Sequence, residues 1–158
     1  MLSIALVAVI VAAVIAIAEA ESHTVTFTNN CGFGTPTLIQ SENILSTGDD
    51  FTSNGPLIGA SAFLQTGVCG SSGENCTLVE TTLANPTSPG LGSGTDISLI
   101  PPHAFSVASG FEYFDGCDGV GKDCADPDCE AAFHNPGDPS LVTICEADNV
   151  GLNITFCD

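Results

Sequence analysis

Apolar and polar residues alternate strictly along Thr24-Val25-Thr26-Phe27-Thr28, which puts Val25 and Phe27 on one face and the threonines on the other. The same period governs the far end of the chain, where Val150, Leu152, Ile154 and Phe156 share a face and Asn153 and Thr155 point the other way. A two-residue period is the pattern of a half-buried strand. Short apolar runs predict further strands at Thr37 to Gln40, Leu57 to Gln65, Cys76 to Leu83, Asp96 to Ile100, Ala104 to Ala108 and Leu141 to Cys145. Glycine- and proline-rich clusters separate them, such as Cys31 to Pro36, Asn85 to Gly92 and Asn135 to Pro139, and no helical period longer than two turns survives. Eight short strands at this spacing predict one all-β domain, a sandwich or a closed barrel, with 84 to 95 as a loop.

The first twenty residues follow a different rule. Met1 to Ala20 is an apolar stretch that closes on Ala18-Glu19-Ala20, a small-residue pattern of the kind signal peptidase cuts. Residues 1–20 are therefore read as a secretory signal peptide and 21–158 as the mature extracellular domain. No Lys or Arg precedes the apolar stretch, so the initiator amine must supply its positive charge.

All eight cysteines fall in the mature part: Cys31, Cys69, Cys76, Cys117, Cys124, Cys129, Cys145 and Cys157. An even count in an exported chain reads as four disulfides. Zinc would want paired Cys-x-x-Cys spacings or partner histidines, which the gaps here do not provide. Four bridges allow 105 pairings, and spacing does not choose among them.

Charge narrows the partners. Nineteen acidic residues face one basic residue, Lys122, for a net charge of -18. Nothing in such a chain can neutralise phosphates, so nucleic acid is excluded, and an anionic membrane surface is disfavoured after the leader is removed. Strong self-repulsion predicts a monomer that stays dispersed.

Several segments occur in an order that adds up to a resemblance. They are Val25-Thr26-Phe27-Thr28-Asn29-Asn30-Cys31, Cys76-Thr77-Leu78-Val79-Glu80-Thr81-Thr82-Leu83, Asp96-Ile97-Ser98-Leu99-Ile100 with Phe105-Ser106-Val107, Gly116-Cys117, and Asn153-Ile154-Thr155-Phe156-Cys157. The chain resembles a short form of the thaumatin-like proteins, similar to small secreted glycopeptides of mushroom-forming fungi. The resemblance implies a disulfide-rich β-sandwich that lacks the long cysteine-rich insertion of full-length members. It also implies the pairs Cys31 with Cys157, Cys69 with Cys76, Cys117 with Cys145, and Cys124 with Cys129.

The family's acidic cleft is linked to β-1,3-glucan binding, weak glucan hydrolysis and antifungal action. Glu80 and Asp96 stand where the resemblance places a cleft glutamate and the first cleft aspartate. The chain has no arginine, and the second aspartate's position is Pro101. A glycosidase needs two carboxyls about 5 Å apart for retention or about 6.5 to 9.5 Å for inversion. Glu80 and Asp96 supply such a pair only if their strands are neighbours. The plainer roles are a strand-start cap for Asp96 and an outward strand position for Glu80. Three function classes result: binding of a cell-wall polysaccharide or surface, a weak endo-β-1,3-glucanase, and an acidic effector that binds a protein partner.

Other residues carry conditional chemistry. Phe111, Tyr113, Phe114 and Asp115 could form an aromatic platform for a sugar, although such aromatics more often fill a core. The acidic loop from Asp115 to Glu130 has the hard oxygens that calcium favours, yet no EF-hand register fits it. A stapled, solvated loop is the simpler reading, and no cofactor is expected. Cleavage after Ala20 would leave Glu21-Ser22-His23 at the terminus, where amine, amides and imidazole can wrap Cu(II). A cut after Ser22 would instead let a terminal His23 chelate through its own amine, a cut after Ala18 removes both options, and the plainer reading of His23 is a surface residue leading into the first strand. Asn75-Cys76-Thr77 and Asn153-Ile154-Thr155 are N-glycosylation sequons, and the outward position of Asn153 makes it the better acceptor.

Overall fold

The computed structural model describes residues 20–137 and 139–158. The expected leader, apart from Ala20, lies outside them. Among the described residues, twelve strands build two sheets. They are β1 (Ser22–Asn29), β2 (Thr35–Gln40), β3 (Asn43–Ser46), β4 (Phe51–Asn54), β5 (Leu57–Gln65), β6 (Leu78–Leu83), β7 (Ser93–Ser98), β8 (Ser109–Phe114), β9 (Gly121–Cys124), β10 (Ala132–Phe133), β11 (Thr143–Cys145) and β12 (Gly151–Phe156). The five-stranded sheet runs β4-β1-β12-β8-β9, and the seven-stranded sheet runs β10-β7-β6-β5-β2-β3 with β11 also on β7. Among the described residues no helix is long and apolar enough to cross a membrane.

Alternation drives the packing of the two sheets. Val25, Leu152, Ile154, Phe156, Phe111 and Tyr113 of the five-stranded sheet meet Leu38, Ala62, Leu64, Val79, Leu83 and Ile97 of the other in one buried core. A polar chain crosses it. The Tyr113 hydroxyl lies 2.9 Å from both the Thr95 hydroxyl and the Thr143 carbonyl, and Thr81 and Thr95 hydroxyls are 2.7 Å apart. A carbonyl only accepts, so the phenol donates to Thr143, accepts from Thr95, and Thr95 accepts from Thr81. Burial, above all, pushes the Tyr113 phenol up to about 12.

β1 pairs in parallel with β12, with Val25 opposite Leu152 and Asn29 opposite Phe156. Just beyond that ladder Cys31 is bonded to Cys157. The other bridges are Cys69–Cys76, Cys117–Cys145 and Cys124–Cys129, and no cysteine is free among the described residues. These are the pairs that the family resemblance implies. Outside the main core, Ile39, Phe63, Cys76 and Leu78 form a second apolar cluster on the outer face of the seven-stranded sheet, packed against Cys69.

The structure corrects several expected elements. Ala104 to Ala108 is not a strand: the Thr77 amide donates to Ser106 Oγ (3.1 Å), the Ser106 amide to Thr77 Oγ1 (3.0 Å), and Thr77 Oγ1 to the Val107 carbonyl (3.0 Å). Side chains thus satisfy backbone groups that a ladder would otherwise take. β7 begins at Ser93, so the loop expected over 84 to 95 ends at Gly92 and Asp96 is a mid-strand residue. β3 joins β2 through Ser41 and Glu42, which both have positive φ (48° and 67°) with Gln40 opposite Asn43. That is a two-residue hairpin loop of the kind that favours Asn-Gly. Replacing Ser41→Asn and Glu42→Gly together is expected to raise stability by about 1 kcal/mol, read as a rise in thermal midpoint of a few degrees. An unchanged or lower midpoint would show that the left-handed pair carries no strain.

Candidate functional site

Alternation on β6 sends Val79, Thr81 and Leu83 inward and leaves Glu80 and Thr82 on the outer face. On β7, Thr95 and Ile97 are inward and Gly94 and Asp96 face out. β6 and β7 pair antiparallel with Glu80 directly opposite Asp96, and Ser61 of β5 is opposite Glu80. The two candidate carboxylates are therefore brought together, because their strands are neighbours in this register. Directly opposed residues have β-carbons about 5 Å apart.

The pair lines an open depression of about 160 Å³ with Gly59, Ser61, Thr82 and Gly94. A bulge in β5 creates part of it: the register shifts between Leu57 and Ala60, Gly59 takes a φ of 63°, and its amide donates to Thr82 Oγ1 at 3.0 Å. With no side chain at Gly59 or Gly94, the floor is backbone and small hydroxyls. Among the described residues no hydrogen bond ties up the carboxyl of Glu80 or Asp96, so both are free to meet a ligand.

Burial and then the adjacent Glu80 charge push the Asp96 carboxyl from 3.8 up to about 7, while Lys122 pulls the other way. Lys122, the chain's single basic residue, extends from β9 and donates from Nζ to the Leu141 carbonyl. Asp96 thus holds its proton through mildly acidic pH. Beside Glu80 it presents a hydroxyl donor next to a carboxyl acceptor, the combination that grips a vicinal diol.

Other sequence candidates are placed differently. Phe111 and Tyr113 form no surface platform. They are 2% and 1% exposed and stack edge-to-face in the core at 6.2 Å, because β8 alternates and turns both inward. Phe114 is outward but half-buried, its ring over Gly151, and Asp115 is exposed at a positive φ of 57° in the turn that follows. His23 is not a surface residue and does not present a copper site. It is fully buried, with Nδ1 2.8 Å from the Val150 carbonyl and Nε2 3.1 Å from Glu21 Oε1. Glu21 also accepts from the Asn85 amide at 2.7 Å, and that bond, followed by His23, holds its carboxyl below the usual range. The acidic loop contains β9, the Cys124–Cys129 bridge and one end of Cys117–Cys145, and no group of three or more His, Cys, Asp or Glu able to hold a metal ion occurs among the described residues.

Comparison with known proteins adds a structural likeness. No family model and no curated protein matches the chain. Among solved structures it is similar to the protein elicitor MoHrip2 from Magnaporthe oryzae, at 14% identity and a TM-score of 0.47, over 88% of this chain and 100% of that one.

Sequence reasoning did not find Gly59, Ser61 and Gly94. Glycine inside an apolar strand is the available signal, since it marks a bulge or a place left open for a close approach.

Proposed function

We propose that the chain is an exported, thaumatin-like domain that binds a neutral cell-wall polysaccharide of the β-1,3-glucan class on the outer face of its seven-stranded sheet. The observation that carries this reading is the side-by-side Glu80 and Asp96 pair on a glycine-floored depression, one carboxyl keeping its proton to about pH 7. Four disulfides in a small all-β domain suit an extracellular setting. A net charge of -18 also supports a neutral ligand, because an anionic polymer would be repelled.

Depletion from solution by insoluble β-1,3-glucan tests the proposal. Binding is expected at pH 5, to weaken by pH 8 as Asp96 ionises, and to change little between low and high salt. Glu80→Gln should weaken it about tenfold, the loss of one hydrogen bond to a charged group. Asp96→Asn should keep a donor in place and remove much of the pH dependence. No depletion at any pH would refute the proposal. The raised Asp96 carboxyl beside Glu80 also fits an acid and base pair, so reducing ends are measured in the same tubes. Release that disappears in Glu80→Gln would assign hydrolysis instead. Association that collapses at high salt would point to a basic protein partner.

A further inference from the structure

The outer face of the five-stranded sheet carries a second depression, which does not include the acid pair. Across neighbouring strands Asn153 stands opposite Thr26 on one side and Glu112 on the other, and Glu112 is opposite Gly121. In the next row Thr155 is opposite Gly110, which is opposite Asp123. Glycines thus replace side chains on β8 and the edge strand β9 of this face. Gly121 lies so close to β8 that an added Cβ would fall 1.8 Å from the Phe111 carbonyl oxygen. At Gly110 the same atom would fall 1.9 Å from Asp123 Oδ1, so the Asp123 carboxylate folds over Gly110 beside Thr155. The result is a furrow of about 240 Å³ lined by Glu112, Gly121, Lys122, Asp123, Thr155 and Asp158. Three carboxyl groups, the Thr155 hydroxyl and Lys122 give its walls both acceptors and donors.

Asn153 stands next to this furrow, opposite its lining residue Glu112. Its Oδ1 accepts from the Thr26 hydroxyl at 3.0 Å and the Thr28 hydroxyl at 3.3 Å, both on β1. Nδ2 therefore faces away from β1, on the side of β8, and has no hydrogen-bond acceptor among the described residues. The other sequon differs. Asn75 is exposed at a positive φ of 61°, beside the bridged Cys76.

We propose that Asn153 carries an N-linked glycan whose first N-acetylhexosamine lies in the furrow, with Glu112 and Asp123 accepting from its hydroxyl and amide groups. The inference rests on the reading that the chain is exported. Attachment joins Nδ2 to the sugar's C1 and breaks the C1–O bond to a polyprenyl-pyrophosphate oligosaccharide donor. One amide proton passes to the export pathway's transferase, and the lipid pyrophosphate leaves. Since β12 is flanked by β1 and β8, transfer precedes folding. Oδ1 keeps both threonine bonds afterwards.

The test is expression of the full chain through a eukaryotic secretory pathway, glycopeptide mapping of both sequons, and timed release by a peptide N-glycosidase. Glycan is expected on Asn153, leaving the native protein at least tenfold more slowly than the reduced, denatured one. Glycan on Asn75 should leave both at similar rates. In the double variant Glu112→Gln, Asp123→Asn, with its thermal midpoint checked to show that it folds, native release from Asn153 should quicken at least fivefold while the denatured rate stays put. Occupancy of Asn75 without Asn153 overturns the proposal while leaving export intact. Glycan at neither site overturns it together with the export reading. Native release as fast as denatured release, or slow release that the double variant does not change, refutes the furrow as the glycan's seat.

Discussion

Replacing Cys31 and Cys157 together by serine is expected to lower stability by about 5 kcal/mol, the largest loss from any one bridge. The two residues are 126 apart in sequence, and cross-linking removes loop-closure entropy from the unfolded chain roughly as the logarithm of the enclosed length. The same relation gives only about 2 kcal/mol for Cys124 and Cys129, which are 5 apart, with Cys117–Cys145 and Cys69–Cys76 in between. Position strengthens the contrast. Cys31–Cys157 closes the end of the parallel β1–β12 ladder, whereas Cys124–Cys129 staples a turn next to the edge strand β9. Denaturant unfolding of the two double-serine variants measures the difference directly. Equal losses would mean that the native contacts of the bridges, and not the freedom of the unfolded chain, decide their worth.

The second large effect is the pH dependence caused by Asp96. Its carboxyl rises from 3.8 to about 7 on folding, so the folded state binds a proton that the unfolded chain has already released. A group raised in this way contributes its full stability below pH 3.8 and loses it as pH climbs through 7. At about 1.4 kcal/mol per unit the shift corresponds to about 4 kcal/mol as an upper bound, and partial solvent screening makes about 2 kcal/mol the working figure. Asp96→Asn removes the titration. The variant is expected to match the native chain near pH 4 and to be about 2 kcal/mol more stable at pH 8. Comparison with the native chain also cancels the general repulsion among the other carboxylates, which grows over the same window. Parallel stability curves for the two proteins would show that folding leaves the Asp96 carboxyl at its ordinary value.

Where one face of a strand is buried and the other is wet, the chain spells out its own structure. β1 and β12 are plain from their alternation, and β5 is bounded as its apolar run predicts. β8 is less plain because Phe111, Tyr113 and Phe114 sit within four residues, and their closeness in sequence suggests a cluster. Strand geometry instead divides them, two inward and one outward. β3 is hidden by its turn, since neither Ser41 nor Glu42 is the Asn or Gly that such a loop favours. β10 and β11 are two and three residues long, too short for any period to show, and gain their place only by pairing with β7.

The candidate site was half legible for a related reason. Glu80 and Asp96 are each marked by their segments, but their opposition depends on the register of the β6–β7 pair, which no local pattern states. The contribution of burial to the Asp96 proton depends in turn on that packing. Asn153 was legible as a sequon on an outward face. The furrow beside it was not, because it is made from glycines of two other strands.

The position of β12 also sets an order of events. It is the middle strand of its sheet, yet a ribosome makes it after every other strand described. Until it emerges, β1 and β4 on one side and β8 and β9 on the other have nothing between them, and Val25 and Tyr113 have no Leu152 to pack against. Without it those four strands are two unjoined pairs with exposed edges, the condition in which partly made β proteins associate wrongly. The five-stranded sheet can therefore close only once β12 has been made.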